Sequence, residues 1–233
     1  MKQIYLMHHF ILLLLLIPMQ HFANDFKKAE QLFQQGKYAL AKPLFEKIVK
    51  AEPQNHKAIE YLGDIAGHFK KWNEALGYYE KLKKADAKNA NYQYKFGGVL
   101  GMKAKEGSRF AALGLLDDVE NAFLTAAKLD AKHIDTRWAL VEFYLQVPGI
   151  LGGSEKKAQK YADELVVISP VDGYLARGHI QEYFGRYLKA EPEYKKAFEI
   201  GQSKTTYQKL YNLYKNKLNQ SKKAAALEQA FEK

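Results

Sequence analysis

The chain has 233 residues, 47% hydrophobic and 27% charged, a globular composition long enough for one domain or a repeat array. It has no cysteine, which excludes a disulfide framework, a thiolate metal site and an acylated lipoprotein cysteine. The net charge is +10, yet of 36 basic residues only Arg109, Arg137, Arg177 and Arg186 are arginine, so the planar fork that reads bases and phosphates is scarce. This charge points to solvated helix faces, and in a general way to anionic surfaces or acidic partners, rather than to nucleic acid.

Met1-Lys2 and the apolar run Phe10–Met19 have the layout of a secretory signal, with Pro18 ending the run and a cut after Ala23. His21 fits the small-x-small preference poorly, and an uncleaved anchor is the alternative. The run is about ten residues, where a spanning helix needs roughly twenty, so no transmembrane span is expected once 1–23 is removed. Export of a cysteine-free chain fits a bacterial periplasm.

From 24 onward the chain repeats itself. The stretch 56–89 reads as two amphipathic helices joined by a tight turn, with Ile59, Leu62, Gly63, Ala66 and Phe69, then Ala75, Tyr79 and Leu82, at helical spacing. At an offset of 34 residues Gly63 matches Ala29 and Gly97, Tyr79 matches Phe45, Leu82 matches Ile48, and Trp72 matches Tyr38. Self-similarity at that period marks a helical repeat array. The pattern Leu62-Gly63, Trp72, Ala75, Tyr79 resembles the tetratricopeptide repeat (TPR) family. The resemblance implies an all-α fold: a right-handed superhelix of antiparallel helix hairpins, whose first helices line a concave side.

Five repeats are expected, at 24–55, 56–89, 90–133, 134–170 and 171–204, with 205–233 as a capping helix pair whose outer face is polar. In the first, Gly36 suits a left-handed helix stop and the second helix ends before Pro53. The third carries extra residues at 103–117, where Ser108 caps a longer second helix and Phe110, Leu113, Leu115 and Leu116 should pack on something. The fourth carries a glycine-rich insertion at 147–154 behind Pro148, with Ser154 as a helix cap. Its Pro148-Gly149 and Gly152-Gly153, running on to Ala158, resemble a turn of exported bacterial TPR proteins and of the periplasmic TPR component of some TRAP-type transport systems.

The candidate partner-binding face lies on the first helices, opposite the packing stripe. There Glu60, Asp64 and His68 recur at one-turn spacing, and Phe26, Glu30, Tyr94, Met102, Trp138, Glu142, Gln146, Leu175, His179 and Tyr183 hold the corresponding places. Carboxylates mixed with aromatics on a basic body suit an extended peptide bearing Lys or Arg, or an amide-rich ligand. The Lys and Asn pairs of carboxylate-binding TPR proteins are replaced here by Phe26, Glu30 and Tyr61, so that specificity does not carry over.

Catalysis is not expected. His56, His68, His133 and His179 lack metal-ligand spacing, and no phosphate loop or serine nucleophile motif occurs. No cofactor or metal is called for. Two functions remain open. One is an exported, non-enzymatic scaffold holding a protein or peptide on its concave face, with a role in envelope assembly. The other is a periplasmic ligand-binding or transport accessory component, whose pocket for a small apolar ligand is closed by 103–117 and 147–154.

Overall fold

The computed structural model describes residues 24–231, so the expected signal segment at 1–23 lies outside the described residues. All regular structure in them is helical, and the chain divides into two compact units between Leu115 and Leu116. That division falls inside the stretch 90–133.

In the first unit, α1 (24–34) and α2 (Tyr38–Ala51) turn at Gly36, whose φ of +71° is left-handed and costs glycine nothing. Helices α3 (His56–His68) and α4 (Trp72–Ala85) make the next hairpin, and α5 (Ala90–Glu106) follows. The links between hairpins share one chemistry. Asn55 and Asn89 accept the backbone N–H of Ala58 and Tyr92 at 3.0 and 3.2 Å, which starts α3 and α5. Where Pro53 has no counterpart, Asp86 ends α4 and its carboxylate takes the N–H of Lys88 at 3.1 Å.

The core of this unit runs between hairpins. Ala29, Ala41, Phe45 and Ile48 pack with Ala58, Leu62 and Ile65 of the following hairpin. Tyr79, Leu82 and Ala75 pack with Ile59, Ala66, Tyr92 and Val99. Burial of this kind, about 1.5–3 kcal/mol for each large side chain, holds together helices too short to persist alone.

The insertion at 103–117 departs from expectation. Ser108 does cap a helix, accepting the Ala111 N–H at 3.3 Å, but that helix is the short α6 (Arg109–Leu113). A separate helix, α7 (Leu116–Leu129), begins beyond Gly114. Nor does the apolar segment pack: Phe110 is 89% exposed and Leu113 46%. A five-residue helix has one side to bury, and Ala112, Leu115 and Leu116 take the half-buried positions.

The second unit continues from α7 through α8 (Ile134–Gln146), a 3-10 turn (Gly149–Leu151), α9 (Glu155–Ile168), α10 (Pro170–Tyr183) and α11 (Tyr187–Gly201). Helix α8 is its most enclosed element, burying Leu140, Val141, Phe143, Tyr144 and Leu145 together with the charged Arg137. Arg137 donates to the Ala127 and Asp130 carbonyls at 3.1 and 2.7 Å, so a guanidinium closes the open C-terminal end of α7. Pro170 occupies the first position of α10, where its missing N–H has no intrahelical partner to lose.

The loop 147–154 is tightly held. Gly152 has φ +103°, and a Cβ at Gly153 would stand 1.7 Å from the Val147 carbonyl oxygen. Ser154 donates its N–H to the Tyr144 carbonyl at 2.9 Å and caps α9 through Lys157. Ile150 is 96% exposed and Leu151 40%, and Phe110 and Leu113 also face solvent. The glycines fix this loop outward, with its aliphatic tips on the outside.

The chain closes with α12 (Lys204–Asn212), a π-turn (Leu213–Lys217) and α13 (Ser221–Phe231). Ser203 and Thr206 form a capping box at the start of α12. Phe231 stacks on Tyr207 with ring centroids 4.4 Å apart, and α13 buries only Ala224 and Leu227, leaving a polar outer side.

Within hairpins, glycine on the first helix meets tyrosine on the second. A Cβ on Gly63 would lie 2.8 Å from Tyr79, and one on Gly178 would lie 2.4 Å from Tyr194. Both rings are buried and have nowhere to retreat. Gly178→Ala should therefore destabilise the protein by about 2 kcal/mol. Gly77→Ala, where nothing lies within 4 Å of the new methyl, should be neutral or stabilising. Thermal melts of the two variants check this; equal melting temperatures would remove the claimed contact.

Candidate functional site

Successive first helices lie side by side within each unit, and polar bridges tie them together. In the first unit Tyr61 on α3 donates to Glu30 on α1 at 2.6 Å. Asn91 on α5 donates to Glu60 at 2.9 Å, and Lys95 on α5 donates to both oxygens of Asp64 at 2.9 and 2.7 Å. Lys95 also stands 2.9 Å from Glu60 Oε1, and Lys57 donates to its Oε2 at 3.3 Å. In the second unit Trp138 on α8 donates from Nε1 to Asp172 on α10 at 2.9 Å, and His179 Nε2 lies 2.7 Å from Glu142 Oε1. That last contact is close but poorly aligned for a hydrogen bond, and becomes an ion pair when the imidazole is protonated.

These bridges change the character of the face. Glu60, expected to be exposed, is only 7% accessible. Burial pushes its carboxyl up, but the hydrogen bond and charge of Lys95, with Lys57 behind them, outweigh that and hold it below the ordinary value of 4.5. Lys95 mirrors this: burial lowers it, and Asp64 and Glu60 together raise it above 10.5. Tyr79 adds a hydrogen bond from beneath to Asp64, and burial first, then the Asp64 charge, drives its phenol far up. At Glu142 the His179 contact is the largest influence and lowers the carboxyl despite burial, with a smaller contribution from Lys209. Glu60 and Asp64 are thus charge-paired struts between helices, while Glu30, Glu142 and Asp172 keep their charge and are engaged by Tyr61, His179 and Trp138.

The other expected residues sort as follows. His68 is exposed, with its ring 4.2 Å from Tyr38 and its edge toward Phe69, and it does not join Glu60 and Asp64 in one contact. Tyr94 is half-buried on α5 beside Lys95, and Met102, two turns on, is 40% exposed. Trp138 and His179 meet with ring centroids 6.4 Å apart, and Tyr183 is 45% exposed at the end of α10. Leu175 is buried in the core of the second unit and leaves the surface altogether.

Lys95 and Arg137 are the residues that reading the sequence missed. Lys95 stands 31 residues after Asp64, the same separation as Glu30 from Tyr61 and Glu60 from Asn91. That recurring offset was the available signal. An open depression along α9, lined by Glu155, Gln159, Asp163 and Val167 among others, involves none of the expected residues. Among the described residues no group of three or more acidic or histidine side chains could hold a metal ion, and no helix is long and apolar enough to cross a membrane.

With this geometry in hand, comparison with known proteins is direct. Residues 32–95 match the tetratricopeptide repeat family model, and the fold is that of solved tetratricopeptide repeat proteins. A thermophilic TPR protein of Thermus thermophilus aligns with a TM-score of 0.67 at 18% identity, over 82% of this chain and 98% of its own. PilW, a widely conserved type IV pilus biogenesis factor, aligns at 0.65 and 14% identity over 91% and 92%. YrrB, a TPR protein with an unusual peptide-binding site, aligns at 0.50 and 17% identity over 78% and 87%. No curated protein sequence matches significantly.

The strut reading has a pH signature. A carboxyl held below its ordinary value contributes stability that is present above pH 4.5 and lost as pH falls through the lower folded value. Removing Lys95 takes away the largest influence that opposes burial at Glu60, leaving Lys57 to act alone, so protonation there relieves part of the cost. Lys95→Met should cost about 2 kcal/mol at neutral pH. Denaturant titrations should show that cost shrinking as pH falls below 4.5. A cost independent of pH would show that the lysine does not neutralise buried carboxylates.

Proposed function

We propose that this protein is an exported, non-enzymatic tetratricopeptide scaffold that holds a peptide or protein segment on its first-helix face, in the service of envelope assembly. The observation that carries the reading is the division of labour on that face. In the first unit Glu60, Asp64 and Lys95 are engaged in fixing neighbouring helices while His68 and Met102 stay exposed, and in the second Glu142 meets His179 while Tyr183 stays exposed. Rigid helices with protruding aromatic and thioether groups lose little entropy on binding, and such groups favour partners with apolar anchors. The preferred partner is therefore an extended or helical segment with apolar side chains at intervals, rather than the Lys- and Arg-bearing peptide that the sequence alone suggested.

Kinship in fold with PilW and YrrB supports a binding role, as does the TPR match at 32–95. Export rests on the apolar run Phe10–Met19. For catalysis the geometry offers little, because the paired groups Glu142 and His179, and Glu60 with Lys95, are engaged with one another across helices.

Affinity capture from a bacterial envelope extract tests the proposal. Partners recovered by the unaltered protein should fall about tenfold with Trp138→Ala or Tyr183→Ala, the loss expected of an interface anchor. Circular dichroism melts identify any variant that has simply unfolded. If folded variants of both recover the same partners in the same amounts, the first-helix face is not the binding surface.

A further inference from the structure

In the first unit exposed large apolar side chains gather at the turns within hairpins; in the second they stand at those turns and also, as Leu129, Val167 and Ile200, at the far ends of α7, α9 and α11. Hairpins stack with like ends together: the Tyr38 ring touches His68, Trp72 donates to Glu106 at 3.0 Å, and Lys42 near the start of α2 reaches Glu74 near the start of α4 at 2.7 Å. In the second unit Arg186, at the α10–α11 turn, binds Glu155 at the start of α9. Each unit therefore has one edge made of the turns within hairpins and an opposite edge made of the links between them.

Along the within-hairpin edge of the first unit stand Leu40, Phe69, Phe110 and Leu113, at 59, 45, 89 and 46% exposure. The between-hairpin links at 52–55 and 86–89 hold no exposed large apolar side chain. Along the same edge of the second unit stand Ile150, Leu151, Phe184 and Leu188, at 96, 40, 43 and 71%. Exposure on this scale, repeated at successive turns, is more than the single surface leucine that needs no explanation.

Charge runs with it. The first edge carries Lys37, Lys103 and Lys105, beside Lys70 paired with Glu106 and Lys71 standing 3.9 Å from Glu74. The second carries Lys156 and Lys189, with Lys157 bound to Glu120 and Arg186 to Glu155, and it also carries the exposed Asp117 and Asp118 at the start of α7. Apolar tips with lysines beside them complement an apolar layer lying beneath a sheet of phosphates. A folded protein partner would call for a shaped recess, whereas these tips project singly from turns. At 147–154 two constrained glycines hold Ile150 outward, so its exposure is built into the loop.

We propose that the within-hairpin turn edge of each unit seats on an anionic lipid surface, with Phe110 and Leu113 in one unit and Ile150 and Leu188 in the other entering the headgroup layer. This surface is distinct from the first-helix face, and its occupancy does not depend on a peptide being bound there.

The chain has no cysteine, so a single one can be placed and labelled cleanly. Phe110→Cys and Ile150→Cys in the full chain, each carrying nitrobenzoxadiazole, should blue-shift and brighten on vesicles of phosphatidylethanolamine and phosphatidylglycerol. They should respond little to pure phosphatidylcholine, and the response should weaken with salt. Labels at Val167→Cys and Ile200→Cys, exposed at the other ends of α9 and α11, should not respond. The combined Lys103→Gln and Lys105→Gln change should lower partitioning about tenfold, as read by the Phe110 label. A label on the edge that stays unshifted overturns the proposal for its unit, and so does an equal response from the labels at 167 and 200. A shift that appears on raising protein concentration without vesicles overturns it too, and names a second copy of the chain as the occupant.

Discussion

Tyr79 lies against Gly63 so closely that a single methyl group would not fit between them, and Tyr194 sits in the same way on Gly178. Most of what is regular in the two units follows from that contact. The absent side chain lets the helices of a hairpin approach, and the ring fills the space their crossing leaves. The ring is long enough that its hydroxyl emerges on the far side of the first helix. There Tyr79 meets Asp64, and Tyr194 meets Glu182 at 2.7 Å. Burial followed by the nearby carboxylate pushes both phenols upward, so each remains a neutral donor. A packing contact thereby fixes a carboxylate on the neighbouring face. Where Phe45 takes the ring position, that donor is missing, and Tyr61 of the next hairpin bonds the Glu30 carboxylate instead.

Carboxylates on the first helices join one hairpin to the next within each unit. Asp64 and Glu60 share Lys95, Glu142 meets His179, and Asp172 takes the indole N–H of Trp138. An ion pair enclosed in this way stabilises little compared with an apolar pair of the same shape, and its larger effect is on register. A slip of one turn that carried Asn91 to Asp64 would leave Glu60 with neither Lys95 nor Asn91. The first-helix face of each unit is therefore rigid because its polar groups are engaged, and at Glu60 and Asp64 the negative charge is already paired.

This explains how far the sequence could be read. Helix positions and capping residues are local matters, settled by Gly36, Asn55, Asn89 and Ser154 within a few residues of where they act, and the 34-residue period carried them along the chain. The face of an isolated helix is legible too, and Glu60 and Asp64 do lie together on the side away from Leu62 and Ala66. What periodicity does not report is the next hairpin. Glu60 looks solvated on its own helix and becomes buried only when α5 brings Asn91 and Lys95 over it. The insertion at 103–117 fails in the opposite sense. Its leucines and phenylalanine look like core because core is their usual place, but a one-turn helix ended by Gly114 has no second side to bury.

The two kinds of surface obey different physics, and the distinction bears on how a repeat scaffold can be specialised. On the first-helix face any new charge must be matched across a helix pair, so substitutions there are coupled, as Lys95 shows by serving two carboxylates at once. The turns within hairpins are tied across more loosely, by exposed pairs such as Lys70 with Glu106 and Arg186 with Glu155. Gly36 and Gly185 close them with left-handed backbone alone, and the side chains beside them, Leu40 and Leu188, contribute almost nothing to the core. Such positions can become apolar, lengthen, or gain lysines without disturbing the stack, which is why both insertions occur there. A chain built this way can alter what it rests on separately from what it holds, provided the glycine–tyrosine contact beneath is left intact.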